Sequence, residues 1–504
     1  MKSPIVLIKN IGMFLLLLLL NYSPAFAQEL QTPLEISSFT KLSSYDGIIA
    51  FINEAARVNK NIKIDFIGES SEGRKIPALK ISNREFGKDK SKIKVLIFAQ
   101  QHGNEPSGKE GALLLIKDFA EGKLNKLLKR IDLILIPQMN ADGGEMNKRY
   151  NGQGLDLNRN HLILTAPETR ALHNLFNQYL PEATLDVHEY YPYGEEWIKF
   201  GARKNNDEQI GSVTNINVSS IIKKLQREVF IPYIKEHLKK NGFSCFEYIP
   251  GGVPEKEYIR LSTFDINDGR QSFGSMNSFS MIFEGKNGRD SIDNIKHRAL
   301  SRYTTLKGYL QFIYDNKDKI KNLVSVERKK LINAKPGDPV AIQMNHFKDG
   351  SKLTLTMQST YSNKDTLVTI ENYRPLVKPI LEVDRPVGYL IPKVSNELVE
   401  WMKRQNFTFS PFDSKEKMKV EQYLITKVDS IDFEGDMVIN PTVEKKVIAL
   451  TNASDYCFIP TNQLAGNIIV QALEPQSMIR LATYKMFEHL VRVNENYPIL
   501  RIVK

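Results

Sequence analysis

His102 and Glu105 stand three residues apart in the segment His102-Gly103-Asn104-Glu105, and His188 follows a separate apolar run much further along the chain. An imidazole and a carboxylate so spaced in a loop can grip one metal ion from two sides, and a second histidine makes a third donor. Three nitrogen and oxygen ligands that leave a fourth position for water are what a catalytic zinc requires. Eight histidines and many glutamates also produce such pairs by chance, so this segment by itself reads first as a loop salt bridge, and only the combination of segments points to a metal.

Short strands would have to position these groups. Residues 94–99, 131–136, 184–187 and 279–283 are apolar runs too short for helices and predict buried strands. Residues 109–119, 168–179 and 219–241 carry helical spacing between them; a helix over 45–57 and a hairpin over 64–81 come first. Strand and helix alternate as in an α/β sheet. The clusters His102-Gly103-Asn104-Glu105, Asn140-Ala141-Asp142-Gly143, His188-Glu189 and Glu284-Gly285 each follow a predicted strand, where an open α/β sheet gathers its site. Alternation along a strand turns Glu189 away from His188 and gives it a structural role.

A lysine-rich helical stretch runs to about Leu331, and Asn333-Ala334-Lys335-Pro336-Gly337-Asp338-Pro339 breaks the pattern as a linker would. The expected division is residues 1–27 as a signal peptide, 28–332 as the main domain and 340–504 as a smaller C-terminal domain. In the last, residues 353–359 and 366–370 read as strands, 387–409 as strand, helix and strand, and a closing helix is expected after Pro475.

Taken in order, the motifs resemble those of the carboxypeptidase A-like zinc peptidases. Ile67-Gly68-Glu69-Ser70-Ser71-Glu72-Gly73-Arg74 looks like that family's early hairpin, and His102-Gly103-Asn104-Glu105 like its first two zinc ligands. Met139-Asn140-Ala141-Asp142-Gly143 and Gly154-Leu155-Asp156-Leu157-Asn158-Arg159 resemble its substrate loops. Asp186-Val187-His188-Glu189 resembles the third ligand segment, and Ser280-Met281-Ile282-Phe283-Glu284 the strand of the catalytic glutamate. The resemblance covers about residues 39–310. It implies a mixed sheet of the eight-stranded type flanked by helices, one zinc per chain on His102, Glu105 and His188, and hydrolysis of a C-terminal peptide bond with Glu284 as general base.

Further roles follow from the same resemblance. Asp156 would orient a ligating imidazole, Asn158 and Arg159 would bind the substrate's terminal carboxylate, and Arg149 would stabilise the developing oxyanion, although its spacing to Asn158 is shorter than in the digestive enzymes. Asn104 stands where those enzymes carry arginine, and their substrate-capping tyrosine has only Tyr258 as a candidate counterpart. Arg270, fourteen residues before Glu284, falls near the family's side-chain pocket and would favour an acidic end residue; its alternative is a plain pair with Asp265 or Asp268. The stretches 268–277, 385–392 and 472–477 look like an exported bacterial branch with an extra C-terminal domain.

Composition bounds the rest. A chain of 504 residues exceeds one ordinary core, and 41% hydrophobic with 25% charged residues is an ordinary globular balance. Lys2, Lys9, the apolar run 11–20 and Ala25-Phe26-Ala27 read as an export signal cleaved before Gln28, with a periplasmic or secreted destination. The run is shorter than the roughly 20 residues a membrane span needs, so no span is expected after signal removal. Losing Lys2 and Lys9 takes the formal charge from +11 to +9, a lysine-rich surface without a nucleic-acid motif. Cys245 and Cys457 have neither redox nor ligand spacing and read as two separate thiols. The expected partner is a peptide or a peptidoglycan stem peptide. Two other readings stay open: an amidohydrolase like the aspartoacylase and succinylglutamate desuccinylase group, which shares a His-Gly-Asn-Glu loop, and an inactive peptide- or cell-wall-binding module, against which an intact ligand set and Glu284 argue.

Overall fold

A computed structural model of the protein describes residues 30–254, 256–413, 418–450 and 452–503. The expected signal peptide and its cleavage site lie outside the described residues. Strands β1 (Ile62–Glu69) and β2 (Lys75–Ile81) form an antiparallel hairpin, followed by β3 (Ile93–Ala99), β4 (Ile131–Ile136), β5 (Ala183–Tyr190) and the short β6 (Ala202–Lys204). Next come β7 (Glu208–Ser212), β8 (Cys245–Glu247), β9 (Ile259–Arg260) and β10 (Phe279–Lys286). Eight of these build one mixed sheet in the order β1-β2-β4-β3-β5-β10-β7-β8, with β4, β3, β5 and β10 mutually parallel.

Period-two alternation explains how that sheet holds two layers together. On β3, Val95, Ile97 and Ala99 enter a core with the helices Tyr45–Val58, Ser107–Ala120, Ile231–Lys240 and Ile295–Asp315. Leu96 and Phe98, on the opposite face, enter a second core with the helix Pro167–Tyr179. Apolar runs buried on both faces are therefore the sequence form of a sheet covered on both sides, and the parallel strands deliver their C-terminal ends to one edge.

Residues 220–240 are helical throughout, as the spacing predicts, but not as one regular α-helix. Helices Ser220–Lys224 and Ile231–Lys240 are joined by a π-helical stretch, Leu225–Phe230. Gln226 within it reaches the sheet, donating to the Ser280 carbonyl at 2.9 Å and accepting from the Val213 amide at 3.2 Å. A widened turn of this kind is a usual way to aim one polar side chain inward.

The chain continues with β11 (Pro339–Phe347), β12 (Leu353–Ser359), β13 (Asp365–Ile370), β14 (Tyr373–Arg374), β15 (Leu376–Asp384) and β16 (Gly388–Pro392). After the helix Asn396–Arg404 come β17 (Ser410–Pro411), β18 (Lys419–Phe433), β19 (Asp436–Ala449), β20 (Tyr456–Pro460) and β21 (Leu500–Ile502). A six-stranded sheet runs β17-β20-β16-β21-β18-β19, while β12 pairs with β6 and β14 with β9. The second core of the main sheet continues into this region without a break, through Trp401, Ile469 and Tyr389. Trp401 is fully buried and its indole N–H donates to the Leu162 carbonyl at 2.8 Å. The closing helix lies before Pro475, at Gly466–Leu473, and only 3-10 turns follow at Leu481–Thr483 and Lys485–Leu490. Pro475 holds Glu474 extended (φ −71°, ψ 127°), which ends the helix ahead of it. Cys245 and Cys457 are free thiols. Among the described residues no helix is long and apolar enough to cross a membrane.

Candidate active site

The loop after β3 turns sharply at Gln100, whose φ of 56° lies in the left-handed region. Its side chain holds the turn, donating to the Gly103 carbonyl at 2.8 Å. Gly103 packs so tightly that a Cβ there would sit 2.0 Å from the Gly143 carbonyl carbon, which brings this loop against residues 140–144. His102 and Glu105 are thereby delivered beside the end of β5. Pairing between β5 and β10 sets His188 opposite Glu284, so both side chains leave the sheet on the same face.

Glu105 bridges the two histidines. Its Oε1 lies 2.7 Å from His102 Nδ1 and its Oε2 2.9 Å from His188 Nδ1, while the two Nδ1 atoms are 3.2 Å apart. Candidate donor atoms of His102, Glu105 and His188 all lie within 4.8 Å of one another, and all three residues are buried. The outward ring nitrogens are taken by other carboxylates: His102 Nε2 meets Asp156 at 3.1 Å, and His188 Nε2 meets Asp186 at 2.8 Å. Carboxylates in that position fix the tautomer and turn each Nδ1 inward, the arrangement found behind metal-bound histidines. Two imidazole nitrogens and a shared carboxylate, all away from water, form a donor set short of positive charge, so a divalent cation fits it.

Electrostatics agree. Burial works against charge throughout, yet His102 and His188 hold Glu105 well below the usual carboxylate range. Burial also opposes a charged His188, but the Asp186 and Glu105 carboxylates outweigh it and hold the imidazole well above its ordinary value. Glu284 has no such partner. Burial pushes it up to about 7, with the Glu105 charge adding to the rise and His188 pulling against it. A carboxylate near neutrality, beside the donor set and outside it, is the type of group that exchanges protons.

His102, Glu105 and Glu284 line a cleft of about 440 Å³. Arg149 reaches over its rim, bonded to Asp156 at 2.9 Å and 3.3 Å from His102 Nδ1. Asn158 hangs from the turn begun by Asp156, accepting from the Gly269 amide at 2.8 Å and lying 3.2 Å from His188 Nε2. Arg159 donates to the Asn158 carbonyl at 2.8 Å and makes no ion pair with any described carboxylate. Asn104 lines the same cleft. Glu189 points away from His188 and pairs with Arg298 at 2.8 Å, so alternation along β5 gives it the structural place expected.

Arg270 also borders the cleft, but it is fully buried and pairs with Asp268 at 2.8 Å and with the Ser262 hydroxyl at 2.6 Å. Tyr258 is not among the cleft residues: its hydroxyl donates to Asp432 of β18 at 3.0 Å, and its ring stacks against Arg374. The lining tyrosine is Tyr248, which burial pushes up. Sequence reasoning missed Asp186, although it stands two residues before His188 on a strand and so shares its face. Tyr248, Arg260, Asp265 and Glu434 were missed for want of any local signal, since long-range packing alone brings them to the cleft.

A zinc carboxypeptidase model matches residues 48–166, a span that holds His102, Glu105, Asn158 and Arg159. The protein named Carboxypeptidase 2 from Trichophyton tonsurans is 27% identical over 508 residues, covering 95% of this chain and 90% of that protein. The likeness is to zinc carboxypeptidases. Carboxypeptidase 2 from Trichophyton rubrum, 26% identical over 90% of this chain and 85% of its own length, extends the likeness through the C-terminal region. Carboxypeptidase A from Helicoverpa armigera, of known structure, is 19% identical over 56% of this chain and 75% of its own, with a TM-score of 0.44. The family match ends before His188 and Glu284, so their places rest on the geometry of β5 and β10. These likenesses support a zinc metallocarboxypeptidase, and His102, Glu105 and His188 are a donor set that fits the ion.

Proposed function

We propose that this is an exported enzyme that removes the C-terminal residue from peptides, with Glu284 as general base. The observation that carries the reading is one cleft holding a three-donor metal cage, a fourth carboxylate outside the cage and, across from them, an arginine without a carboxylate partner. When bound, zinc supplies a Lewis acid that polarises a carbonyl and acidifies water. His102, Glu105 and His188 would hold it, with Asp156 and Asp186 behind the two imidazoles fixing which nitrogen points inward.

Glu284 stands one strand from His188, buried and free of strong partners, so its carboxylate can take a proton from the attacking water and pass it to the leaving amine. Arg159 and Asn158 hold the terminal carboxylate; a planar guanidinium offers it two parallel donors. Arg149, beside His102 and still a third exposed, is placed to face the oxygen on which charge develops. The N-terminal signal pattern supports export.

The test is product analysis. The purified chain, stripped with a chelator, is incubated with a mixed peptide library, muropeptides and N-acylated amino acids, before and after zinc is returned. Zinc-dependent loss of single C-terminal residues, read by mass spectrometry, is the expected result. Cleavage of acylated amino acids alone would replace this reading with an amidohydrolase, and binding without products would replace it with a binding module.

A further inference from the structure

The β18–β19 hairpin belongs to the C-terminal region, yet its tip lines the catalytic cleft through Phe433, Glu434 and Asp436. Three contacts seat it there. Asp432 accepts from the Tyr258 hydroxyl at 3.0 Å and from Asn345 at 3.2 Å, and the Phe433 ring lies 5.7 Å from that of Phe264. The turn is made by Glu434 (φ 57°) and Gly435 (φ 102°), both left-handed. Such two-residue turns favour Asn, Asp or Gly at the first position. A glutamate there is strained, because its Cβ crowds the following carbonyl oxygen. Its backbone conformation aims the side chain back at the cleft, where Oε1 accepts from the Phe264 amide at 2.8 Å. No described residue donates to its second oxygen.

Charge around it is unbalanced. Arg270 is matched by Asp268 and Arg149 by Asp156, while Arg159 faces the position assigned above to the terminal carboxylate. That leaves Asp265 and Glu434 against Arg260, which forms no ion pair with any described carboxylate. Asp265 receives one backbone amide, that of Asn267 at 3.0 Å. Burial pushes Asp265 up to about 8 against the pull of Arg159, and Glu434 up to about 7 against that of Arg260 and Arg270, and neither carboxylate makes an ion pair with a described cation.

We infer that the C-terminal hairpin supplies a specificity residue: Glu434, with Asp265, receives a cationic side chain, so that the residue preferentially released carries an ammonium or guanidinium group. This rests on the carboxypeptidase reading. It assigns to the C-terminal region a part in choosing the substrate, since the main sheet alone does not provide Glu434.

The experiment compares the zinc-loaded full chain on peptides identical except for a C-terminal Lys, Leu or Glu, together with calorimetry of free L-lysine and L-norleucine. Lys should be released with a kcat/KM about tenfold or more above Leu and Glu, the size of one charge-assisted contact. Glu434→Gln should cut the Lys-to-Leu ratio about tenfold, mainly through KM, and Asp265→Asn should cut it further. The amide keeps an acceptor for the Phe264 N–H, and unchanged zinc content and melting temperature show that the hairpin stays docked. A wild type that prefers Leu or Glu, or a ratio that neither substitution moves, overturns the inference. A wild type that releases no C-terminal residue defeats the carboxypeptidase reading instead; tighter binding of lysine than norleucine, lost in Glu434→Gln, then still upholds the pocket, and equal binding overturns it.

Discussion

Glu284→Gln is the substitution that most directly separates catalysis from architecture. Glu284 is 8% exposed, makes no hydrogen bond with a described side chain and is not in the metal cage, so an amide of nearly the same size removes a proton acceptor and little else. General acid and base groups contribute roughly 10²- to 10⁴-fold, about 3 to 5 kcal/mol of barrier. Turnover should fall by that much while zinc content stays at one per chain. Stability works the other way: burial raises Glu284 in the folded protein to about 7, above its value in the unfolded chain, so the carboxylate costs stability as pH rises from the unfolded value through 7. The zinc-free variant should therefore melt no lower than the zinc-free wild type at pH 8. Turnover, bound zinc and melting temperature are measured on one preparation. A variant that turns over normally refutes Glu284 as the base; an inactive variant without zinc makes it a ligand.

His188→Ala should bind no zinc after dialysis, measured by metal analysis, because a three-donor cage has no spare member; full occupancy would remove His188 from it. Asp186→Asn should keep the fold and weaken zinc affinity roughly 10- to 100-fold in a chelator competition, the usual effect of a partner behind a ligand; unchanged affinity would make Asp186 incidental. Trp401→Ala should lower stability by about 3 to 5 kcal/mol in urea unfolding, since it empties a fully buried site and leaves the Leu162 carbonyl with Gln405 as its remaining side-chain donor. His346 is buried against Leu261 and Phe264, and burial, with Arg260 nearby, holds it down at about 3. The unfolded chain protonates at about 6.5, so stability should fall as pH drops from 6.5 toward 3, by up to about 1.4 kcal/mol per unit, and His346→Gln should reduce that slope in denaturant midpoints taken at pH 7 and 4.5.

The strands that carry the site were legible because burial on both faces leaves a sharp mark. The run expected at 131–136 is β4 to the residue, and those at 94–99 and 279–283 differ from β3 and β10 only at their ends. Their ends matter chemically: β10 runs on through Glu284 to Lys286, so the glutamate sits within the ladder opposite His188 and not in a loop beyond it. Polar residues at the mouth of a buried strand break the apolar pattern without breaking the hydrogen bonding, which is why the pattern stopped short. The π-helical stretch at Leu225–Phe230 left no mark either, because Gln226 in an otherwise helical run resembles a surface residue until Ser280 is seen beneath it.

The cage and the specificity wall differ for a physical reason. His102 and Glu105 share one loop, and Asp186 and His188 one strand, so short-range geometry brings them together and spacing reveals them. Glu434 reaches the cleft from a strand pair more than a hundred residues past the main sheet, and strands β18 and β19 are exposed on much of their length, with lysine and glutamate interleaved among valine and isoleucine. A half-exposed hairpin carries a weak apolar signal, and a glutamate before a glycine looks like any solvated turn. What marks it is the combination of a left-handed backbone, a bond to the Phe264 amide and the buried Asp265 carboxyl lining the same cleft. Each of those exists only after the C-terminal region has docked. Chemistry that the main sheet would perform on many peptides thus acquires its preference from a contact that no local pattern in the chain announces.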